Sequence, residues 1–303
     1  MLEILFLGTG ASVPSRESAP SCIAVRCGRE IALFDCGEGS QRQLMVSPFS
    51  FMKISCIFIT HMHGDHVLGL PGLVQTMSMS GRSEPLTVCG PPGIRGFLDA
   101  VSDACEGRAS YPLEIIEAEP GFEARFEGFS VSAFETDHGV RSLGFALREH
   151  PRRGRFDRAR AVALGVRPGP DFSRLQNGES VGSVSPADVM GEPQPGLSVV
   201  YSGDTLPCDG VRSAAMGADV LIHEATYSAR DAGLAASHGH STAEQAAEIA
   251  RGCGCGALLL THVSNRYDDR SEIEEEARRV FPESRAARDM DLFAVSADGL
   301  RSA

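Results

Sequence analysis

Apolar residues along this 303-residue chain recur with two periods. Short runs rich in β-branched or aromatic side chains, each closed by Gly, Pro, Asp or Ser, predict strands at 2–7, 21–27, 30–34, 55–60, 86–89, 114–117, 129–134 and 143–148. The second half repeats the pattern at 197–201, 219–222, 257–261 and 292–296. Spacing near 3.6 predicts helices at 39–46, 67–79 and 93–103, and again at 241–251 and 271–281. Strands and helices alternate in both halves, so the expected class is layered α/β with helix-covered sheets. No apolar run approaches the roughly 18–20 residues of a membrane span. The opening MLEILFLGTG has no basic leader and breaks at glycine, so it reads as a first strand in a cytoplasmic protein.

Charge changes the picture in one place. The chain carries 28 basic and 40 acidic residues, a net −12, which argues against a surface that coats nucleic acid or membrane as a whole. Residues 148–174 run the other way, with eight arginines against three acids, a local +5. Glycine and proline punctuate this stretch, and that character continues to Gly196. It reads as an inserted arm rather than core. Either the arginines are a solvated linker's share of a chain whose basic residues are nearly all arginine, or they form an electrostatic handle for a polyanion. The nine cysteines are scattered and odd in number, which suits reduced thiols and no disulfide scaffold.

The densest chemistry is His61-Met-His63-Gly-Asp65-His66, directly after a predicted strand. Three imidazoles and a carboxylate within six residues are a ligand set for zinc, manganese or iron. His138, Asp204 and His262 each lie just past the C-terminal end of another predicted strand, where sites in open α/β sheets collect. His240 precedes Ser241-Thr-Ala-Glu244, which predicts a capping box and puts His240 before a helix N-terminus, a place that favours an anion. Glu224, in His223-Glu-Ala-Thr226, follows a strand and could orient that imidazole.

These motifs resemble the metallo-β-lactamase superfamily and, within it, the ribonuclease Z family of tRNA 3′-processing endonucleases. The likeness runs nearly end to end: LFLGTGASVP, FDCGEGSQRQ, FITHMHGDHVLGLPGL, VVYSGDTLPCD, LIHEATY, GHSTAEQAAEIA and LLLTHVSNRYDD. HxHxDH alone is shared by hydrolases of many substrates, whereas GEGSQRQ, HEAT, GHST and THVSNRY together narrow it to this family. The resemblance implies an αββα sandwich in one domain spanning 1–303, with an inserted tRNA-binding arm at about 150–178. It implies two zinc ions per chain, with manganese as a substitute. His61, His63 and His138 would hold one, Asp65, His66 and His262 the other, and Asp204 would bridge them. A hydroxide held between two such ions would attack the phosphodiester after the discriminator nucleotide of precursor tRNA. Asp65 would orient or deprotonate it, and His240, backed by Glu224, would protonate the leaving 3′-oxygen. Arg152, Arg153 and Arg155 in the arm, and Arg266 and Tyr267 beside His262, would contact tRNA. The implied partners are precursor tRNA and a second copy in a homodimer, with no DNA and no membrane. The family's basic PxKxRN loop is altered here to Pro14-Ser-Arg16-Glu-Ser18-Ala19.

Overall fold

A computed structural model describes every residue of the chain except Arg152. Two compact units emerge, one made of Met1–Arg148 with Leu197–Ala303, the other of Glu149–Gly196. In the larger unit the strands are β1 (Leu2–Gly8), β2 (Cys22–Cys27), β3 (Glu30–Phe34), β4 (Ile54–Phe58), β5 (Leu86–Gly90) and β6 (Leu113–Glu117). They continue as β7 (Glu123–Arg125), β8 (Phe129–Glu135), β9 (Leu143–Glu149), β10 (Ser198–Tyr201), β11 (Val220–Glu224), β12 (Ala257–Thr261), β13 (Ser284–Ala286), β14 (Leu292–Ser296) and β15 (Gly299–Ser302). One sheet runs β15-β14-β1-β2-β3-β4-β5-β6 and the other β13-β12-β11-β10-β9-β8-β7.

Alternation along the strands explains the layering. One face of each sheet contributes to a shared core in which Phe34, Phe58 and Cys89 meet Phe145, Val199, Tyr201 and Ile222. Phe58 and Phe145, from opposite sheets, pack with ring centroids 5.1 Å apart. The other face of the first sheet, through Leu5, Leu33 and Ile57, packs on Leu44, Leu70, Leu73 and Leu98 of its helices. The outer face of the second, through Leu221, Leu258 and Leu260, packs on Ala246, Ala247 and Ile249 of the helix Ala243–Gly252. The result is helix, sheet, sheet, helix, as expected from the alternation.

Several local expectations need adjustment. The run predicted as one helix over 67–79 is two, Gly64–Val67 and Leu70–Met79, because the chain turns at Gly69 to bring Gly69 against Gly37. A side chain at Gly69 would lie 2.0 Å from the Gly37 carbonyl oxygen, and one at Gly37 would lie 2.2 Å from that of Asp65. These two glycines let the ligand-bearing turn press onto the loop after β3. The capping box sits one residue later than predicted, on Thr242 and Gln245. Ser241 instead donates to the Thr205 carbonyl at 2.6 Å.

The smaller unit has its own core of Ala161, Val166, Leu175, Val184 and Val189, with Phe156 and Phe172 against it. Its helices are Arg158–Ala163, Pro170–Gln176 and Pro186–Val189. No described helix is long and apolar enough to cross a membrane.

Candidate active site

The predicted ligands converge because each sits at the C-terminal end of a strand or in the loop just past it. His61, His63, Asp65 and His66 follow β4, His138 follows β8, Asp204 follows β10 and His262 follows β12. Four groups of donor atoms gather within 4.8 Å: His61, His63 and His138; His61, His66 and Asp204; Asp204, His240 and His262; and Asp65, His66 and His262. Asp204 lies between the first and last of these. Its Oδ2 is 3.8 Å from His61 Nε2, 3.3 Å from His66 Nε2 and 3.3 Å from His262 Nε2. On the other side, His61 Nε2 is 3.0 Å and His138 Nε2 3.4 Å from His63 Nδ1. Asp65 Oδ2 is 3.6 Å from His66 Nε2 and 3.4 Å from His262 Nε2. Ligands about 2.0–2.1 Å from a tetrahedral ion lie roughly 3.3 Å from one another, so these spacings suit shared ions.

The protein alone leaves this cluster incomplete. His66 Nε2 and Asp204 Oδ1 are buried with no hydrogen-bond partner, a state that costs free energy. Burial opposes charge on His66, yet Asp204 and Asp35 outweigh it and hold the imidazole well above its ordinary pKa. Burial and the neighbouring imidazoles push His61 and His63 down instead. Burial would raise Asp204, but His262 and His66 drive it well below the usual carboxylate range. Neutral His61 and His63, with carboxylates whose negative charge draws a proton onto buried His66, form a donor set whose charge a divalent cation would balance in place of that proton. The residues present therefore fit divalent metal.

Two buried carboxylates orient the donors. Asp35, fully buried, accepts from the Thr60 amide at 2.8 Å and hydroxyl at 3.0 Å, from His66 Nδ1 at 2.8 Å and from the Tyr201 hydroxyl at 2.8 Å. Thr60 Oγ1 in turn is 3.0 Å from His61 Nδ1. Glu224 repeats the arrangement. It takes the Thr205 amide and His240 Nδ1, each at 2.8 Å, and the Thr226 hydroxyl at 2.7 Å. Thr226 Oγ1 is 2.9 Å from His262 Nδ1. Each threonine, by donating to its carboxylate, can accept from the histidine behind it, which turns that ring's Nε2 inward as an acceptor. Burial opposes protonation of His240, but Glu224 wins and lifts it to about 9. The Glu224 carboxyl is held low mainly by that same contact, against its burial.

Backbone strain concentrates here. Of the five described non-glycine residues with positive φ, Ser12, Asp35 and His262 belong to the site. Such conformations cost about 1–3 kcal/mol each and persist where surroundings over-determine them. Ser12 uses its conformation to donate its amide to Asp65 Oδ2 at 2.9 Å.

The remaining residues named from sequence divide. Arg266 is exposed, its guanidinium 5.2 Å from the Tyr227 ring centroid and 3.7 Å from Asp231. Tyr267 is buried and its hydroxyl is engaged twice, accepting from the Ser228 amide at 2.9 Å and donating to Asp231 at 2.6 Å. These two bonds brace the loop after β11. In the smaller unit Arg153 donates to the Gln176 carbonyl, and Arg155, with Arg158 and Arg160, lines a groove of about 850 Å³. Arg152 lies outside the described residues. Sequence reasoning passed over Ser12, Asp35, Thr60, Tyr201 and Thr226. All five lie inside quoted motifs, but their outer-contact roles appear only once the fold brings their partners together.

Comparison with known proteins agrees with this geometry. A family model described as a beta-lactamase superfamily domain matches residues 176–263, and one described as anti-Pycsar protein Apyc1 matches residues 2–96. The chain is 45% identical over 295 residues to the ribonuclease Z of Methanosarcina acetivorans, covering 96% of this chain and 97% of that one. It is 48% identical over 295 residues to that of Halobacterium salinarum, covering 95% and 96%. Among solved structures, the short form of human tRNase Z matches with a TM-score of 0.71 at 29% identity, over 97% of this chain and 99% of that one.

Proposed function

We propose, from the premise that this chain belongs to the ribonuclease Z family of the metallo-β-lactamase fold, that it is the endoribonuclease that removes the 3′ trailer from precursor tRNA. The observation that carries the reading is the meeting of seven His and Asp donors with a His240–Glu224 dyad at their edge. His61, His63 and His138 would hold one zinc ion, Asp65, His66 and His262 a second, and Asp204 both; manganese suits the same donors. Bound there, the ions supply a nucleophile at neutral pH and charge to offset that of the phosphodiester.

The chain's own groups then divide the proton traffic. Water attacks the phosphorus 3′ of the discriminator nucleotide, and Asp65, fixed by the Ser12 amide, is placed to take its proton. The bond from phosphorus to the tRNA 3′-oxygen breaks. His240, whose Nδ1 is held by Glu224, presents its other nitrogen to protonate that oxygen. The products are a tRNA with a 3′-hydroxyl and a trailer with a 5′-phosphate. Arg266 at the rim, and Arg152, Arg153 and Arg155 in the smaller unit, would contact phosphates, since tRNA bodies share shape rather than sequence. The family resemblance supports action as a homodimer, with the arm of one copy gripping tRNA cut by the other.

The test is cleavage of a precursor tRNA carrying a 3′ trailer, with Zn²⁺ or Mn²⁺ added and both new ends mapped. One cut after the discriminator, leaving a 3′-hydroxyl, is expected. No cleavage by protein shown to contain two metal ions per chain would shift the reading to a hydrolase of small phosphodiesters.

A further inference from the structure

The loop between β1 and β2 delivers the Ser12 amide to Asp65, and a set of buried and half-buried polar groups fixes the root of that loop. Thr9 is fully buried, and its hydroxyl donates to Asp289 Oδ1 at 2.6 Å. Asp289 Oδ2 accepts from the Ala19 amide at 2.7 Å and from Gln43 Nε2 at 3.2 Å. Arg270 reaches in from the opposite side. It donates through Nη1 to Thr9 Oγ1 at 2.6 Å and through Nη2 to the Ser18 hydroxyl at 2.6 Å. Both ends of the loop, residues 9 and 18–19, are thus pinned to side chains that lie some 250 residues or more away in sequence. The middle is stitched to the segment after His262. Ala11 donates to the Val263 carbonyl at 3.2 Å, Val263 donates to that of Thr9 at 3.0 Å, and Asn265 Nδ2 donates to that of Val13 at 2.8 Å.

The loop's backbone pairs with Val263, the residue after His262, and its hydrogen bond to a ligand side chain is Ser12 to Asp65. That bond requires Ser12 at φ +60, a conformation a free loop would leave. A carboxylate that must both hold an ion and stay in a single orientation gains from an outer donor of this kind. We propose that Thr9, Asp289 and Arg270, with Asn265, are positioning residues that lock this loop so that the Ser12 amide fixes the orientation of Asp65. The chemistry assigned to Asp65 rests on the function proposed above; the clamp itself is a statement about its geometry.

A double-mutant cycle separates the clamp from general damage. Apparent Zn²⁺ dissociation constants are measured by competition with a chromogenic chelator, for Thr9→Val and Asn265→Ala, each in the native and the Asp65→Ala background. Each single variant is expected to weaken one zinc equivalent by about tenfold, the lower end of outer-shell effects. In the Asp65→Ala background the same substitutions should change nothing further. Thr9→Ser, which keeps the hydroxyl, should restore the affinity. With precursor tRNA, Thr9→Val should lower kcat and leave KM unchanged. Equal weakening in both backgrounds, or no weakening in either, overturns the proposal. Asn265→Ala, at the exposed end of the loop, carries the cycle if Thr9→Val does not fold. Because the cycle reads zinc, failure of the chain to cut precursor tRNA would refute the function and leave the clamp to be judged separately.

Discussion

Asp35 Oδ2 lies 2.8 Å from His66 Nδ1, and both side chains are closed to solvent. The carboxylate comes from the end of β3 and the imidazole from the turn after β4, so the contact ties a metal-site ring to the neighbouring strand. Asp35→Asn would put an amide where four donors now converge. Metal affinity should fall by about 10–100-fold. Loss of charge-assisted bonds should also cost about 2–3 kcal/mol of stability. Zinc titration and denaturant unfolding of the metal-free protein read the two effects separately; an unchanged zinc affinity would remove Asp35 from the site.

His240 and Glu224 are assigned to the leaving group, and that assignment has a chemical signature. His240→Gln should slow precursor-tRNA cleavage by about 10²–10⁴-fold, the usual worth of a general acid. A nitrophenyl phosphodiester has a leaving group that needs no proton, so its hydrolysis should fall far less. Parallel losses on both substrates would place His240 elsewhere in the mechanism.

Asp65→Ala should abolish cleavage and leave tRNA affinity within about twofold, because the phosphate contacts proposed above are assigned to other residues. Filter binding beside a single-turnover assay is sufficient. Normal turnover would sink the mechanism.

The larger unit closes on itself across the break in its sequence between Arg148 and Leu197. A side chain at Gly196 would lie 1.7 Å from the Glu149 carbonyl oxygen, and Arg148 pairs with Ser198 across β9 and β10. Replacing residues 151–194 with a short glycine linker should therefore spare the fold. Precursor-tRNA binding should weaken and its dependence on salt should become shallower as arginine–phosphate contacts are lost, while small-phosphodiester hydrolysis persists. Unchanged affinity would free these arginines from any role in tRNA binding.

Thiol chemistry reports on the core. Cys105 is exposed and Cys208 partly so; the other seven are buried, and burial raises Cys36, Cys89 and Cys255 to about 12. Maleimide should label one cysteine fast and a second slowly at neutral pH, and the rest only after denaturation. Rapid labelling of more than two would contradict this packing.

Much of the site was legible because its ligands are histidines and carboxylates at strand ends, where a packing explanation is weak. The helix-and-strand alternation likewise read through to the sandwich. What stayed hidden has a common cause. Tyr201 reaches Asp35 from 166 residues away, and Asp289 reaches Thr9 from 280, so no local pattern announces either. β7, β13 and β15 are three or four residues long, too short to show a period. Tyr267, expected from its place shortly after His262 to contact tRNA, donates its hydroxyl to Asp231, a partner 36 residues away that the sequence does not announce.

The donors of this centre are drawn from both layers. His61, His63, Asp65 and His66 extend from the first sheet, and His138, Asp204 and His262 from the second. Neither layer alone offers a complete coordination sphere, so ion capture has to wait until the two have docked. Metal binding would then add free energy across the junction of the two layers, and chelation would withdraw it there. Divalent ions held there would rivet the two layers together, and the donor set is complete only in the assembled fold.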